Sequence, residues 1–399
     1  MKKNSNIKSF KWNLLIVVCA FLTYTKEAKA IDDFKSGKRN CDTPTSIEKI
    51  TYLQKECIYR NGFTAKTPNS VLDCDGAIID GGSSKSPYGI EITASNITIK
   101  NCRIKNFKKN GIIIHSEVSK KNLKPDEDNI RYKYSPKNIR ILNSFVSENL
   151  SDGIFIGNHV EQVTIIDNEI FLNRGPGVYL EYSSRKNILV GNSIHNNGIP
   201  TIKEKKKWPN AREAIAIDAS YENKIKNNKI YSNGAGGIFL YKNCGEKNGP
   251  IRSAPANRNI ISKNTFIDTE IGIWIAQRQS IDLSAYRCSS KYYGDGKYVL
   301  DESKENLVKE NYFSNVNLPI KVEDDGNVII GNIMNSAREA CIMIGTEFRN
   351  KYLKKPVTNT IVEENLCEIQ NNENIGFPVK YNSKETKNFN NKILYKDQP

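Results

Sequence analysis

Three residues with ionisable side chains follow short apolar runs at equivalent points. Glu181 follows "GVYL", Asp218 follows "AIAI" and Tyr241 follows "GIFL". Two carboxylates could hydrolyse a glycosidic bond, with about 5–5.5 Å between them for retention and about 6.5–9.5 Å for inversion. A tyrosine could act as base or acid when a proton is removed from a carbon beside a carboxylate. We therefore treat Glu181, Asp218 and Tyr241 as candidate catalytic residues.

Four cations lie close to these residues in the sequence. Lys242 follows Tyr241 directly, Arg278 follows the strand-like run "IGIWIAQ", and Arg185 and Arg212 lie near the same edge. A guanidinium matches a carboxylate through its bidentate fork. We expect Lys242 and Arg278 to take part in catalysis, and Arg185 and Arg212 to bind substrate.

A repeated unit places these residues at equivalent positions. Its second half reads Gly-Ile-x-Ile, and uninterrupted copies begin 21 to 24 residues apart. Short period-2 strands at this interval, with few helix signals between them, predict a solenoid of stacked coils. We predict an all-β fold, a parallel β-helix of about nine to ten coils. The copies are "YGIEITA" (88–94), "NGIIIHS" (110–116), "DGIFIGN" (152–158), "PGVYLEY" (176–182), "EAIAIDA" (213–219), "GGIFLYK" (236–242), "IGIWIAQ" (271–277), "LPIKVED" (318–324) and "EACIMIG" (339–345).

The first half of each unit contains an asparagine two residues before a large apolar residue. Asparagine tolerates left-handed backbone, and stacked asparagine side chains can hydrogen-bond to the next coil. We therefore expect a column of asparagines at one corner of the coils. Its members are Asn143, Asn168, Asn192, Asn228, Asn264, Asn311, Asn332 and Asn365.

Aromatic residues recur between the two inward-facing apolar positions of the unit. This position points outward, because side chains alternate along a strand. It holds Phe155, Tyr179, Phe239 and Trp274. Aromatic faces suit sugar rings, although insertions could equally fold over this column and bury it. We expect Tyr179, Phe239 and Trp274 to contact substrate.

The next outward position carries Glu181, Asp218 and Tyr241 on three successive coils. Adjacent coils lie about 4.8 Å apart, so these side chains should be neighbours. Two residues further on, the outward column includes His159, which we predict to bind substrate.

Four polar insertions interrupt the repeat beside these columns, at 117–136, 198–212, 244–257 and 279–305. Loops on a rigid scaffold often carry function. The segment "KEKKKW" (203–208) is a basic patch with one aromatic residue, which could line a channel for a polyanion or form an ordinary solvated loop.

The first 30 residues have the pattern of a secretory signal peptide. A lysine-rich start precedes the apolar run "LLIVVCAFL" (14–22), and "AKA" (28–30) provides small residues for cleavage after Ala30. No later apolar run approaches the roughly 20 residues of a spanning helix. We expect a secreted or periplasmic protein without a membrane span.

Charge and cysteine content agree with export. The chain carries a formal net charge of +15, which favours an anionic partner but is also typical of a lysine-rich proteome. Eight cysteines follow the leader, an even number that suggests disulfides. Without a CxxC motif, and with only three histidines, a zinc site is not expected. The preferred pairs are Cys41–Cys57, Cys74–Cys102 and Cys244–Cys288.

Four segments divide the chain: a signal peptide (1–30), an N-terminal cap (31–69), the β-helix (70–345), and a last coil with a C-terminal cap or tail (346–399). Residues 45–62 are predicted to form the capping helix of the second segment. Thr45 and Glu48 match a capping box, and the apolar residues that follow match a helical stripe.

The repeat resembles the right-handed parallel β-helix proteins of the pectate-lyase-like superfamily. It is similar in particular to the repeat region of alginate C5-epimerases and polysaccharide lyases. The Gly-Ile-x-Ile and Asn-x-apolar units across about 70–375 carry the resemblance, with "VLDCDGAIIDGG" (71–82) as an opening coil. It implies the right-handed sense of the coils. The same scaffold hosts several chemistries and non-enzymes, so it does not define the reaction.

The epimerase motif Asp-Pro-His-Asp aligns with "IDAS" at 217–220, so Asp218 matches its first aspartate. Ala219 replaces the proline, and Ser220 replaces the catalytic histidine. The resemblance therefore implies the fold and a polysaccharide substrate, but not this epimerase site. Glu181 and Asp218 could bind Ca²⁺ or orient the basic groups.

Three function classes remain open. The first is a lyase or C5-epimerase that removes the C5 proton of an acidic, uronate-containing polysaccharide. The second is a glycoside hydrolase with paired carboxylates, and the third is a non-catalytic glycan-binding or surface protein. We expect an acidic polysaccharide as the partner and no nucleic acid. The oligomeric state stays open.

Overall fold

The computed structural model describes residues 39–42, 44, 46–117, 128–200, 211–246, 251–338, 340–369, 379–380 and 383–395. The expected signal peptide (1–30) and the basic segment 203–208 lie outside the described residues. Among the residues described, no helix is long and apolar enough to cross a membrane.

Each coil of the chain consists of three short strands that are separated by corners. Strands at the same position in successive coils pair in parallel and form three faces, which we call A, B and C. A typical coil contains Glu161–Ile166 on face A, Glu169–Phe171 on face B and Val178–Leu180 on face C. The predicted parallel β-helix is therefore confirmed.

Face A is a sheet of 12 strands. These are β2 (Ile50–Tyr52), β5 (Val71–Asp73), β8 (Thr98–Lys100), β11 (Lys137–Leu142), β14 (Glu161–Ile166), β17 (Ile188–Val190), β20 (Lys224–Lys226), β23 (Ile260–Ser262), β27 (Leu307–Lys309), β29 (Val328–Ile330), β32 (Ile361–Glu363) and β35 (Lys387–Phe389).

Faces B and C form one 22-stranded sheet, because β24 (Thr265–Ile275) and β28 (Tyr312–Val322) continue from one face to the other. Face B contains β1 (Arg39–Cys41), β3 (Cys57–Tyr59), β6 (Ile78–Asp80), β9 (Arg103–Lys105), β12 (Phe145–Ser147), β15 (Glu169–Phe171), β18 (Ser193–His195), β21 (Lys229–Tyr231), β30 (Ile333–Ala337), β33 (Leu366–Ile369) and β36 (Lys392–Tyr395). Face C contains β4 (Phe63–Ala65), β7 (Ile90–Ile92), β10 (Ile112–Ile114), β13 (Ile154–Ile156), β16 (Val178–Leu180), β19 (Glu213–Asp218), β22 (Gly236–Tyr241), β31 (Ile342–Ile344) and β34 (Val379–Lys380).

The apolar positions of the repeat fill the interior between the faces. Ile154, Val178 and Ile215 pair in register and are fully buried. Burial stabilises each such side chain by about 1.5–3 kcal/mol. The glycine before them is needed for space, because a Cβ atom on Gly153 would lie 2.6 Å from the carbonyl oxygen of Gly177.

Asparagine ladders connect the corners of successive coils, as the sequence predicts. Asn168 donates from Nδ2 to Oδ1 of Asn192 (3.0 Å), and its backbone N–H donates to the same oxygen (3.0 Å). The ladder contains Asn168, Asn192, Asn228, Asn264, Asn311, Asn332, Asn365 and Asn391.

Two details of the predicted ladder are wrong. The residue in left-handed backbone is the one before the ladder position, such as Asp167 (φ 54°) before Asn168. Asn143 is not a ladder member, because the backbone N–H of Ser144 makes the bond to Asn168 Oδ1 (2.9 Å). Asn143 instead donates to Asn101 (2.8 Å).

The predicted capping helix at 45–62 is wrong. The structure has β2 and β3 there, which pair in parallel with β5 and β6. Ile47, Leu53 and Cys57 are buried in the core as the prediction required, but Ile50 between them is 60% exposed, so burial does not follow a helical stripe. The predicted nine to ten coils are also too few, because coils at both ends lack the Gly-Ile-x-Ile pattern and yet supply strands to the 12-stranded face A.

Few other elements are described. The helix α1 (Asp128–Tyr134) comes from the first insertion, and a short π-helix spans Arg349–Leu353. A hairpin of β25 (Tyr292–Tyr293) and β26 (Tyr298–Val299) lies in the last insertion. Four disulfides are present, and the three preferred pairs are confirmed. The pairs are Cys41–Cys57, Cys74–Cys102, Cys244–Cys288 and Cys341–Cys367.

Candidate functional site

The predicted outward column on face C is confirmed in register. Phe155, Tyr179, Ala216, Phe239 and Trp274 are aligned on successive strands. The rings of Phe155 and Tyr179 stack at 5.5 Å, and those of Phe239 and Trp274 meet edge to face at 5.5 Å. Tyr179 and Phe239 are only 8% and 4% exposed. This aromatic ladder is therefore mostly covered, as the alternative interpretation of the sequence anticipates.

Two small residues leave room for large rings on this face. Ala216 interrupts the aromatic ladder, and it packs with Tyr179, Phe239 and Tyr241 in one cluster. A Cβ atom on Gly236 would lie 2.8 Å from the ring of Phe239. Side chains of neighbouring coils can therefore meet on this face, even when their positions are several residues apart along the strands.

Asp218 lies at the centre of a buried hydrogen-bonded group. Its side chain is fully buried, and its Oδ2 atom accepts from the Tyr179 hydroxyl (2.9 Å), Asn243 Nδ2 (2.7 Å) and Arg252 Nε (2.9 Å). Its Oδ1 atom accepts from the backbone N–H of Asn243 (2.8 Å). Both carboxylate oxygens are thus engaged. We call Asp218, Tyr179, Asn243, Arg252 and Glu181 the Asp218 network.

Arg252 joins the two predicted carboxylates. Its guanidinium donates to Glu181 Oε1, to Asp218 and to the carbonyl oxygen of Cys244 (2.9 Å). Burial, followed by the charge of Asp218, raises the pKa of Glu181. Burial also raises the pKa of Tyr179 well above its ordinary value, and Asp218 adds to this effect. The group is therefore a paired internal charge cluster.

Tyr241 belongs to a second group on the same face. Its hydroxyl donates to Glu213 Oε1 (2.8 Å) and accepts from Arg212 Nη2 (3.1 Å). Arg212 also donates to both oxygens of Glu213, at 3.2 and 3.1 Å. We call Tyr241, Glu213 and Arg212 the Tyr241 network. The side chain of Arg212 is 38% exposed, whereas that of Glu213 is only 5% exposed.

The electrostatics of this group favour an ionised glutamate and a protonated tyrosine. Burial would raise the pKa of Glu213, but the charge and hydrogen bond of Arg212 outweigh it, so the pKa is lowered. Burial and the charge of Glu213 raise the pKa of Tyr241 well above its ordinary value. At rest the proton therefore stays on the phenol, which donates a hydrogen bond to the ionised carboxylate.

Asp152 is a third acidic group near these two networks. It occupies the position before the glycine of its repeat, and Asn110 Nδ2 donates to its Oδ2 atom (2.9 Å). Burial raises its pKa to about 6, and the charge of Arg212 opposes part of this rise. A Cβ atom on Gly175 would lie 2.2 Å from Asp152 Oδ1, so glycine is needed beside this carboxyl group.

Lys242 and Arg278 do not join these networks. Lys242 Nζ contacts Ser290 Oγ (2.6 Å) and the carboxylate of Glu302, and Arg278 pairs with Glu246. The backbone N–H of Arg278 also donates to Asp301 (2.7 Å). Lys242 holds the insertion 279–305 and the Arg278 guanidinium holds the insertion 244–257 against the coils, so we leave both cations out of the proposed site.

His159 and Arg185 also lie apart from the two networks. His159 is 1% exposed, and it packs between the rings of Tyr132 and Tyr182, at 5.1 and 5.2 Å. Arg185 pairs with Glu161 (3.0 Å) and lies over the ring of Tyr132 (3.7 Å). The helix α1, which carries Tyr132, covers this part of the face. Both residues are therefore left out of the proposed site.

Trp274 has partners of its own at the other end of the aromatic ladder. Its indole N–H donates to Glu323 Oε1 (3.1 Å), and Lys321 Nζ lies 4.0 Å from its ring centroid. Lys321 also pairs with Glu323 (2.9 Å). These polar contacts fix the indole ring on the face.

The carboxylates of this face do not fit a Ca²⁺ site. Glu181 and Asp218 both pair with the one guanidinium of Arg252, which a bound cation would have to displace, and Ca²⁺ takes six to eight oxygen ligands. Within the described ranges, no group of three or more His, Cys, Asp or Glu side chains is placed to hold a metal ion.

Sequence reasoning missed Glu213, Asp152 and Arg252. Glu213 and Asp152 precede the glycine position of their repeats, so an acid at that position was a usable signal. Arg252 comes from an insertion, and its contacts with the face do not follow from the repeat.

Comparison with known proteins gives the family but no activity. The right-handed β-helix family, described as "Right handed beta helix region", matches residues 69–280. No curated protein matches the chain.

Three solved structures are similar to this chain. The catalytic domain of a GH87 alpha-1,3-glucanase in complex with nigerose has a TM-score of 0.50 and 12% identity, covering 90% of this chain and 65% of that one. The A-module of mannuronan C-5 epimerase AlgE6 from Azotobacter vinelandii has a TM-score of 0.49 and 13% identity, covering 81% and 78%. Alginate lyase from Paenibacillus sp. str. FPU-7 has a TM-score of 0.42 and 15% identity, covering 78% and 92%.

At these identities the likeness concerns the fold alone. The family match covers more than half of the chain, and it agrees with the parallel coils of the structure. It also supports the right-handed sense that the resemblance implies. The chain therefore belongs to the right-handed β-helix family.

Proposed function

We propose that this protein is an exported enzyme that removes the C5 proton of a uronate-containing polysaccharide, as a lyase or a C5-epimerase. The observation that carries the proposal is the Tyr241 network, in which a phenol lies between a buried carboxylate and a partly exposed guanidinium. The four disulfides support an oxidising compartment.

Each member of the Tyr241 network has a distinct part in this reaction. Arg212 neutralises the uronate carboxylate, which lowers the energy of the carbanion formed when the C5–H bond breaks. The Tyr241 oxygen accepts the C5 proton as its own proton passes to Glu213. In the lyase reaction, the electron pair of the C5–H bond forms the C4–C5 double bond and expels the C4 oxygen, which takes a proton from water. In the epimerase reaction, the electron pair instead takes a proton from water on the opposite face of C5, which gives the epimer.

Arg212 marks the side from which substrate enters. Its side chain is the most exposed of the network, and it lies near Tyr179, with the guanidinium carbon 6.0 Å from the ring centroid. Arg252 cannot take this part, because Glu181 and Asp218 already occupy its guanidinium. The proposed site therefore keeps Tyr241 and Arg212, adds Glu213, and assigns Asp218 and Glu181 a positioning role.

A hydrolase is the second candidate, and one observation favours it. Asp152 and Glu213 occupy the same repeat position two coils apart, with Pro176 between them. Two coil spacings amount to about 9–10 Å, near the carboxyl separation of inverting enzymes. The pKa of Asp152 is raised to about 6 and that of Glu213 is lowered, as expected of an acid and a base.

The first experiment separates these reactions by their products. The protein is incubated in D₂O with alginate, polygalacturonate, hyaluronan or heparosan. Deuterium at C5 of the product indicates proton abstraction, and ultraviolet absorbance of an unsaturated sugar identifies the lyase. New reducing ends without either signal would show hydrolysis and overturn the proposal.

The second experiment tests the residue assignment. Because proton transfer by a positioned group contributes about 10²–10⁴-fold, Tyr241→Phe should lower kcat by about that factor. The matched control is Tyr182→Phe, which removes a buried hydroxyl that contacts Ser253 Oγ (3.1 Å). Thermal unfolding of each variant shows whether the fold is intact. Equal activity of Tyr241→Phe and the wild type would exclude Tyr241 from the reaction.

A further inference from the structure

Face A carries a groove that the proposed reaction does not use. Its volume is about 500 Å³, and its lining includes Arg140, Gln162, Lys186, Ile188 and Lys224. The proposed catalytic groups lie on face C, on β19 and β22 and the residue before β19. The groove is therefore a separate surface of the same coils.

The groove runs along the stack of coils and across the strands. Arg140, Thr164, Ile188 and Lys224 are aligned in register on β11, β14, β17 and β20. With coils about 4.8 Å apart, Arg140 and Lys224 lie about 14 Å from each other. A ligand that touches both must be extended along the axis of the stack.

The charges of the groove are positive and available to a ligand. Arg140, Lys186 and Lys224 are all exposed. The lining also contains one carboxylate, Glu222, which is paired with Arg258 (3.2 Å), and the neighbouring Glu161 is paired with Arg185 (3.0 Å). The three cations thus create a positive potential along one line of the surface.

The remaining lining suits a carbohydrate. Ile188 offers an aliphatic surface, and the side chains of Asn138, Gln162 and Thr164 offer amide and hydroxyl groups to sugar hydroxyls. No aromatic side chain is part of the described lining, so the base stacking that holds single-stranded nucleic acids has no platform.

We propose that this groove is a second, non-catalytic binding site for an acidic polysaccharide. That the bound polymer is also the substrate of the enzyme rests on the proposed function. Bound at face A, the polymer is held close to the protein while another stretch of it is processed at face C. The groove raises the affinity for long chains and does not affect turnover of short ones.

The test measures migration of the full-length protein in native gels that contain polygalacturonate or alginate, with dextran as the neutral reference. The variant is Lys186→Glu with Lys224→Glu. The matched control is Lys85→Glu with Lys108→Glu, which makes the same charge change at exposed lysines outside the groove lining. Because binding through fixed cations depends on each charge, the groove variant should weaken polymer retardation about tenfold and the control less than twofold.

The outcomes separate this proposal from the proposed function. If the groove variant loses retardation but keeps wild-type turnover of a short uronate oligosaccharide, both stand. If the wild type shows no turnover but the groove variant still loses retardation, the groove stands and the proposed function fails. Equal retardation of groove variant and control would overturn the groove. Retardation by duplex DNA but not by the polysaccharides would also overturn the groove proposal.

Discussion

The Asp218 network and the Tyr241 network use the same three residue types to different ends. Each contains a tyrosine, a buried carboxylate and an arginine. In the first, Asp218 accepts four hydrogen bonds, and the side chain of Arg252 is 9% exposed. In the second, the side chain of Arg212 is 38% exposed and the tyrosine donates directly to the carboxylate. Residue type alone therefore does not distinguish an internal ion pair from a reactive group.

The two networks differ in which of their polar groups remain available to a substrate. The carboxylate of Asp218 is saturated by donors that stay in place, so a substrate gains nothing from it. Glu213 is ionised and accepts a hydrogen bond from Tyr241, and the partly exposed Arg212 can present part of its guanidinium to a ligand. The four predictions below test this comparison and the acidic group beside it, from the largest expected effect to the smallest.

The largest effect is expected for Asp218→Ala. Arg252 keeps Glu181 as its partner, but four buried donors, from Tyr179, Asn243 and Arg252, lose their shared acceptor. Because a buried donor left without its partner costs about 1–3 kcal/mol, we expect a total loss of about 3–5 kcal/mol. Chemical denaturation measures the loss in free energy of unfolding. The control is Glu310→Ala, which breaks a pair with Lys263 whose side chains are 46% and 62% exposed. It should change stability by less than about 1 kcal/mol. Similar losses for both would mean that the Asp218 network is not a structural unit.

Asp152→Asn should remove part of the pH dependence of stability. The pKa of Asp152 is raised to about 6 from its ordinary 3.8, so the folded protein holds this proton more tightly than the unfolded chain. The stabilisation is full below pH 4 and is lost as the pH rises through 6. The shift corresponds to about 2–3 kcal/mol. Unfolding at pH 4 and pH 7 should differ more in the wild type than in Asp152→Asn, and equal differences would contradict the assignment.

Tyr179→Phe and Tyr241→Phe form a matched pair. Each removes one hydroxyl that donates to a buried carboxylate, so each should lower stability by about 1–3 kcal/mol. Only Tyr241→Phe should abolish turnover, and Tyr179→Phe should keep it within about threefold. If Tyr179→Phe lost as much activity as Tyr241→Phe, the reactive group would have to include the Asp218 network.

The smallest effect is expected for Arg212→Lys. Lysine keeps the charge but loses the planar fork that holds Glu213 and a substrate carboxylate together. We expect KM to rise about three- to tenfold, with stability changed by less than about 1 kcal/mol. Steady-state kinetics and thermal unfolding measure the two effects. An unchanged KM would show that Arg212 does not contact substrate.

The repeat explains why most of the fold could be predicted. Gly-Ile-x-Ile fixes which side chains face inward, and so fixes the alignment of Tyr179, Ala216 and Phe239 across three coils. The interval between copies also brought Asp218 beside Tyr241. The three preferred disulfides could be predicted because each joins two cysteines that are consecutive in the sequence, 16 to 44 residues apart.

Local patterns failed where distant partners decide the structure. The stretch 45–62 has helix signals, yet pairing with β5 and β6 and the Cys41–Cys57 disulfide hold it as strands. Arg252 reaches Asp218 from 34 residues away, and no period of the repeat predicts that contact. Tyr241 reaches Glu213 across a part of the face where it packs against the small side chain of Ala216. Such contacts depend on side-chain volume in three dimensions.

The asparagine ladder also gives the coil stack a direction. From Asn168 to Asn365, each side-chain amide donates to the Oδ1 atom of the asparagine in the next, C-terminal coil. The same nitrogen also donates to a backbone carbonyl of the preceding coil, so it ties three coils together. The bonds from asparagine to asparagine all point the same way along the axis, so an added coil extends the ladder only when it joins head to tail.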